Sequence, residues 1–229
     1  MKNIKIAVSV LGPPGSGKDT EAAFIVKEYG LYQFKTSRFL IEAFETGKGD
    51  PEIEKERKIL ESGHLNTPSW VFGIVEKKTR EVASNGQGVC YSGSPRTKYE
   101  VEHLNPLLEE LYGKENIIPI YLNVTDEVVV WRNTRRKMCE KCLTPVVYSK
   151  ETEDMKICPV CGGNLIVRSL DNPEIIKKRL DVFRQDTGPV IDYYRSRGML
   201  YEVDGKPRPE EVFVEVKKII DGHINKIKS

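Results

Sequence analysis

No stretch of this 229-residue sequence approaches the ~20 consecutive apolar residues that a membrane-spanning helix needs. It also lacks an excess of charge. Against 36 Lys and Arg stand 34 Asp and Glu, a formal net charge of +2, well short of the clustered basic surplus of a dedicated nucleic-acid binder. Internal repeats and low-complexity tracts are missing too. The short apolar run at the N-terminus is not followed by a small-residue cleavage site and leads straight into a glycine-rich loop, so it reads as a buried strand rather than a leader. These absences imply a cytosolic protein that contacts neither membrane nor nucleic acid, whose partners must be argued from its sites. What is present, 39% hydrophobic and 31% charged residues, is the ordinary make-up of a chain that buries a full core.

Residues 4–11 form an apolar run of strand length ended by Gly12, and 19–29 places Ala22, Ala23, Ile25 and Val26 at helical spacing. Residues 42–70 are charged and helical in pattern, broken at 47–51 and at Gly63, and 71–84 continues as an amphipathic helix. This middle stretch reads as a small helical insertion. Buried strands are predicted at 88–91 and 117–124, the latter after a helix over 102–112. That alternation is the pattern of a parallel α/β sheet flanked by helices. A helix over 126–137 precedes a turn-rich segment, 139–168, that carries four cysteines. A helix over 173–195, a strand over 200–203 and a helix over 209–226 close the chain.

Between the first strand and first helix lies Gly12-Pro13-Pro14-Gly15-Ser16-Gly17-Lys18-Asp19-Thr20. Small residues let successive N–H groups turn inward around phosphate oxygens, the helix N-terminus adds positive potential, and Lys18 reaches the outer phosphates. Asp19 stands where a metal-ligating Ser or Thr is usual, with Thr20 next. A carboxylate so near phosphates must point away as a first-turn acid or face a magnesium ion.

Cys139-x-x-Cys142 and Cys158-x-x-Cys161 are separated by fifteen residues, with Gly162-Gly163 to turn the chain after the second pair. Four thiolates suit tetrahedral zinc, which would supply most of the folding free energy of so small a segment. Reduced cytosolic thiols favour metal over disulfides. Cys90, alone in a strand, reads as a small core residue.

Together with Gly93-Ser94-Pro95-Arg96-Thr97, Arg132-x-x-x-Arg136, Arg168, Arg179-Leu180, Thr187-x-Pro189-Val190-Ile191-x-Tyr193-Tyr194 and Asp204-Gly205, these motifs make the sequence resemble the adenylate kinase family, of the type with a long zinc-bearing lid, over nearly its whole length. The resemblance implies a P-loop NTPase core formed by residues 1–35, 81–137 and 169–229, a monophosphate-binding insertion at 36–80, and a zinc-binding lid at 138–168. It implies phosphoryl transfer from ATP with magnesium to a nucleoside monophosphate, AMP favoured, by a monomer. Gly12, Gly15, Ser16, Gly17, Lys18, Asp19 and Thr20 would hold the ATP phosphates. Arg132 would pack on the adenine beside the Lys206 backbone, and Arg96 would grip the monophosphate. Arg136, Arg168 and Arg179 would converge on the transferring group. Thr36, Leu65, Asn66 and Gly93 would belong to the acceptor pocket.

The departures from the family pattern cluster around the acceptor and the metal. Ile41 replaces an arginine that holds the acceptor's phosphate, with Arg38 one turn earlier as its substitute. Glu100 replaces a glutamine that reads the acceptor base, and an ionised carboxylate only accepts hydrogen bonds. Ser92 replaces an aspartate that organises water around magnesium, and Leu170 leaves Asp171 alone where an acidic pair is usual. The acceptor therefore stays open among AMP, CMP, UMP, GMP and dAMP. A degenerate nucleotide-binding module without turnover is the second reading.

Overall fold

A computed structural model describes residues 4–142, 144–167 and 171–228. Arg168 and Leu170 lie outside the described residues.

Five parallel strands make the central sheet: β1 (Ala7–Leu11), β2 (Tyr32–Lys35), β3 (Val89–Ser92), β4 (Ile117–Asn123) and a late strand at Tyr201–Asp204, in spatial order β2, β3, β1, β4, late strand. β1 pairs with β3 from Ala7 opposite Val89 and with β4 from Ala7 opposite Ile117. Strands buried on both faces must be apolar throughout, and AVSVL is buried at all five positions.

The alternation of side chains divides the core. Val8, Val10, Ile118 and Ile120 pack towards α1 (Lys18–Tyr29) and the C-terminal helix, whereas Ala7, Val89 and Tyr91 pack with Phe34, Leu104 and Leu108 on the other face. Each such fully buried aliphatic side chain contributes roughly 1.5–3 kcal/mol by leaving water.

Between β2 and β3 run α2 (Thr36–Thr46), α3 (Pro51–Glu61) and α4 (Pro68–Ser84). Helix α3 starts where Asp50 accepts from the Glu52 and Ile53 amides at 2.8 and 3.3 Å, with Pro51 in its first turn. α5 (Lys98–Tyr112) joins β3 to β4, and α6 (Asp126–Arg135) follows β4. A separate antiparallel sheet then forms from β5 (Lys137–Cys139), β6 (Pro145–Val146) and β7 (Leu165–Ile166), with β5 in the middle. The predicted helix over 173–195 is α7 (Pro173–Val182), a π-helical turn at Phe183–Thr187, and α8 (Gly188–Ser196). The late strand, β8, leads into α9 (Pro209–Lys228).

β2 was not expected from the sequence. Four residues, YQFK, with only Phe34 buried, show no run and no clean alternation. Among the described residues, no helix is long and apolar enough to cross a membrane.

Candidate active site

A cavity of about 520 Å³ lies at the carboxyl edge of the sheet, where open parallel sheets bind ligands. Its floor is the loop from β1 into α1, with Pro14 through Glu21 all lining it. The loop is tight: the Ser16 amide donates to the Pro13 carbonyl at 3.1 Å, and the Lys18 ammonium reaches the same carbonyl at 3.3 Å. Gly15 has φ +81°, and a Cβ there would lie 2.2 Å from Asn133 Nδ2. The contact matters because Asn133, fully buried on α6, donates from Nδ2 to the Pro14 carbonyl at 3.0 Å and to the Val129 carbonyl at 2.8 Å. Helix α6 thus holds the loop, through a residue 119 positions away from Pro14 that no local pattern marks.

Burial pushes the Lys18 ammonium down to about 7; Asp19 opposes that shift, and the positive charges of Arg96, Arg179 and Arg136 add to it. Four cations facing one space with so little negative charge between them describe a site shaped for a polyanion.

At one end of the cavity, Arg132 spreads its guanidinium over backbone oxygens: Nη1 donates to Gly205 at 2.9 Å and Ser16 at 3.4 Å, Nη2 to Lys206 at 2.9 Å and Pro207 at 3.3 Å. Arg132 and Lys206 therefore meet beside the cavity. Trp131 and Tyr148 stand edge to face at 5.6 Å, so the stretch just after β6 touches α6 at the cavity mouth.

In the middle, Asp171 gathers the arginines. Arg136 donates to it through Nε at 2.9 Å and Nη2 at 2.8 Å, and Arg179 Nη1 lies 3.6 Å from the same carboxylate. The one acid thus holds Arg136 by two hydrogen bonds and stands at ion-pair distance from Arg179. Arg96 Nε donates to the Gly93 carbonyl at 2.7 Å, and the Thr187 hydroxyl donates to the Arg96 carbonyl at 2.8 Å. Lys18, Asp19, Thr20, Gly93, Arg96, Arg132, Arg136, Arg179, Lys206 and Leu65 all line the cavity.

Four residues assigned to the acceptor pocket stand away from the lining. Thr36 hydrogen-bonds the Ser94 hydroxyl at 2.9 Å, both buried, joining the start of α2 to the loop after β3. Arg38 is exposed, because α2 buries Thr36, Leu40 and Phe44 instead, while Ile41 lines the cavity. Asn66 spends Nδ2 on the Glu56 carbonyl at 2.6 Å and the Glu56 carboxylate at 3.0 Å, clamping α3 to the start of α4.

Glu100 turns back on its own helix. Its Oε2 accepts from the Arg96 amide at 3.0 Å, its Oε1 from the Thr97 hydroxyl at 3.3 Å, and its amide donates to Thr97 Oγ1 at 3.1 Å. This is a variant of the capping box in which Glu100 takes the Arg96 amide rather than that of the N-cap Thr97, and Thr97-x-x-Glu100 was its sequence signal. Burial raises the Glu100 carboxyl above the usual range, with the Arg96 amide bond opposing. Arg168 cannot be placed, since it lies outside the described residues.

The sulfurs of Cys139, Cys142, Cys158 and Cys161 lie within 4.8 Å of one another. The Cys139–Cys161 and Cys142–Cys158 pairs are 3.4 and 3.7 Å apart, close to the edge of about 3.8 Å for a tetrahedron of thiolates around zinc. The Cys142 amide points at Cys139 Sγ and the Val160 amide at Cys158 Sγ, each at 3.4 Å, as donors that would stabilise thiolates. A Cβ on Gly163 would lie 3.0 Å from Cys139 Sγ, which explains that glycine. The four residues fit a metal ion.

A parallel sheet with a phosphate loop at its carboxyl edge, a buried loop lysine and arginines converging above it define a P-loop protein built to handle nucleoside phosphates. A family model described as adenylate kinase matches residues 10–199. The adenylate kinase of Archaeoglobus fulgidus is 37% identical over 221 residues, covering 96% of this chain and 98% of its own length. Those of Magnetococcus marinus and Haloarcula marismortui are 35% and 33% identical, over 93% and 94% of this chain and 99% and 97% of their own. The chain belongs to the adenylate kinase family.

Proposed function

We propose that this protein transfers the terminal phosphoryl group of ATP, as its magnesium complex, to a nucleoside monophosphate, AMP favoured, yielding two nucleoside diphosphates. The observation that carries this reading is the ring of Lys18, Arg96, Arg136 and Arg179 around one cavity. An oxygen of the acceptor phosphate attacks the terminal phosphorus, the bond to the bridging oxygen breaks, and charge builds on the oxygens these cations face. Lys18 and the loop amides hold the donor phosphates, Arg96 holds the acceptor's, and Arg136 and Arg179, aligned by Asp171, face the group in transit. Arg168 belongs with them by resemblance.

Magnesium, when bound with ATP, neutralises phosphate charge and orients the outer phosphates. Hard oxygen donors fit it here: Asp19, Thr20 and Ser92 all line the cavity, and Ser92 Oγ is buried without a hydrogen-bond partner. We assign Asp19 the anchoring role. If Asp19→Gly leaves the magnesium dependence of turnover unchanged, that assignment fails.

The four cysteines would hold zinc, whose lack of an open coordination position makes it structural. Residues 138–168 would be the lid it folds, residues 36–80 the acceptor-binding insertion, and the remainder the core of a cytosolic monomer. A coupled assay for nucleoside diphosphate release with ATP, magnesium and each common ribo- and deoxyribonucleoside monophosphate tests the reading. Turnover with AMP is expected. No turnover with any acceptor, from folded and metal-loaded protein, overturns it.

A further inference from the structure

The turn between α3 and α4 is tied to the core by a long side chain. Lys178, exposed on α7, donates from its ammonium to the Ser62 carbonyl at 2.8 Å, across 116 positions of sequence. That carbonyl lies just past Glu61, the last residue of α3, so a cation there also meets the negative end of the helix. Beyond it the chain turns at Gly63, with φ +85°, where a Cβ would lie 3.8 Å from Ile175 Cγ2 and 3.9 Å from Lys178 Cδ. The turn therefore rests on Ile175 and on the methylene stem of Lys178, and the ammonium pins its start.

The bond joins two walls of one cavity. Gly63, His64 and Leu65 line it from the turn, and Arg179 and Val182 line it from α7. Helix α7 is a firm post, because Ile176 and Leu180 are buried with Val124 and Val129, and Asn172 caps it by accepting from the Ile175 amide at 2.9 Å. Past the turn, the buried Glu56 carboxylate accepts from Asn66 Nδ2 at 3.0 Å and from the Thr67 amide at 2.9 Å. Between these two anchorages stand Gly63, His64 and Leu65, all of which border the cavity.

We propose that Lys178 is a positioning residue for the acceptor: by holding Ser62 it fixes the turn at 63–65 against the helix that carries Arg179, so that the acceptor's wall and a cation of the reacting ring keep one spacing. The inference rests on the phosphoryl-transfer reading above, which gives residues 36–80 to the acceptor. Lys178 and Arg179 are consecutive, so their side chains leave the helix roughly 100° apart, one reaching the turn and the other the cavity. A wall free to swing would let the acceptor oxygen drift out of line with the terminal phosphorus, and this reaction asks little of the protein besides positioning and charge. The other end of the cavity has no share in the clasp, since the hydrogen bonds of Arg132 go to Ser16, Gly205, Lys206 and Pro207.

The test compares the wild type, Lys178→Met and Lys178→Arg in steady-state kinetics with ATP and AMP varied in turn. Methionine keeps a stem to pack on Gly63 and removes the donor; arginine keeps a donor of the same charge. Because Lys178 is exposed, both variants should fold. Lys178→Met should raise KM for AMP about five- to tenfold and KM for ATP by less than about twofold, and Lys178→Arg should restore most of the difference. An unchanged KM for AMP in Lys178→Met overturns the proposal, and so does an equal rise in both KM values, which marks a general loosening. A wild type inactive with every acceptor overturns the kinase reading instead, and hydrogen exchange of the unliganded protein then decides on the clasp. Faster exchange of the Ser62, Gly63 and Thr67 amides in Lys178→Met than in Lys178→Arg or the wild type supports it. Identical rates in all three proteins overturn it.

Discussion

Asp171 takes both Nε and Nη2 of Arg136, at 2.9 and 2.8 Å, from a side chain with no exposed surface. Its second neighbour, Arg179, stands 3.6 Å from Oδ1. One acid therefore fixes the aim of Arg136 and stands beside Arg179, and a guanidinium that moves by 1 Å can cost about a hundredfold in rate. Asp171→Asn should lower kcat by roughly 10- to 100-fold with a much smaller change in KM for ATP. Steady-state kinetics with both substrates varied checks this, and a rise in KM alone would mean that Asp171 serves binding rather than alignment.

Lys18 predicts a proton balance. In the empty site it is pushed down to about 7, so near pH 7.5 most of it is neutral. Bound phosphates favour the ammonium and raise it, so ATP binding at that pH should take up a proton, and at pH 5.5, where Lys18 is already charged, it should not. Calorimetry in two buffers of different ionisation heat measures the uptake, and Lys18→Met should abolish it. The sign also fixes stability: the unfolded chain binds more protons than the folded one between about 7 and 10.5, so Lys18 makes the empty protein gain stability as pH rises through that window.

Gly15 and Asn133 should fail together. Gly15→Ala places a methyl 2.2 Å from Asn133 Nδ2 at a backbone angle of +81°, strain that costs about 1–3 kcal/mol before the amide is displaced. Asn133→Ala removes the amide and frees the Pro14 carbonyl. Both variants should bind ATP at least tenfold more weakly, and the double variant should bind little worse than either. Full additivity in titrations of the three proteins would show the two residues to be independent.

The four cysteines make a local prediction. Removing a metal bound there with a chelator, or substituting Cys158→Ser, should melt the small sheet while leaving the five-stranded sheet folded, because among the described residues 137–166 bury only Cys139, Val146 and Cys158. Hydrogen exchange should show protection lost over residues 137–166 and kept over β1 and β4. Loss of protection in β1 would refute this separation.

How much of this was legible in the sequence depended on distance along the chain. The phosphate loop and the paired cysteines were plain, because their chemistry sits in consecutive residues. The alternation of strands and helices predicted the parallel sheet, and only β2 escaped, being four residues long with one buried. The π-helical turn at Phe183–Thr187 was hidden inside a continuous helical pattern. The bonds of Glu100 to Arg96 and Thr97 went unread, although Thr97-x-x-Glu100 is a local signal, because the resemblance directed attention to the acceptor base. Asn133 with Pro14, and Lys178 with Ser62, depended on contacts that no local pattern encodes.

The grip of Arg132 on the carbonyls of Gly205, Lys206, Pro207 and Ser16 has a consequence for anyone recombining such proteins. The cavity wall at 205–208 is not a loop that can be exchanged by itself, since its shape is held from another helix. A chimera that imports residues 205–208 with a different residue at position 132 would strand four oxygens without their donor. The smallest portable piece of this wall therefore comprises two stretches of chain, α6 and the turn between β8 and α9, inherited as one module.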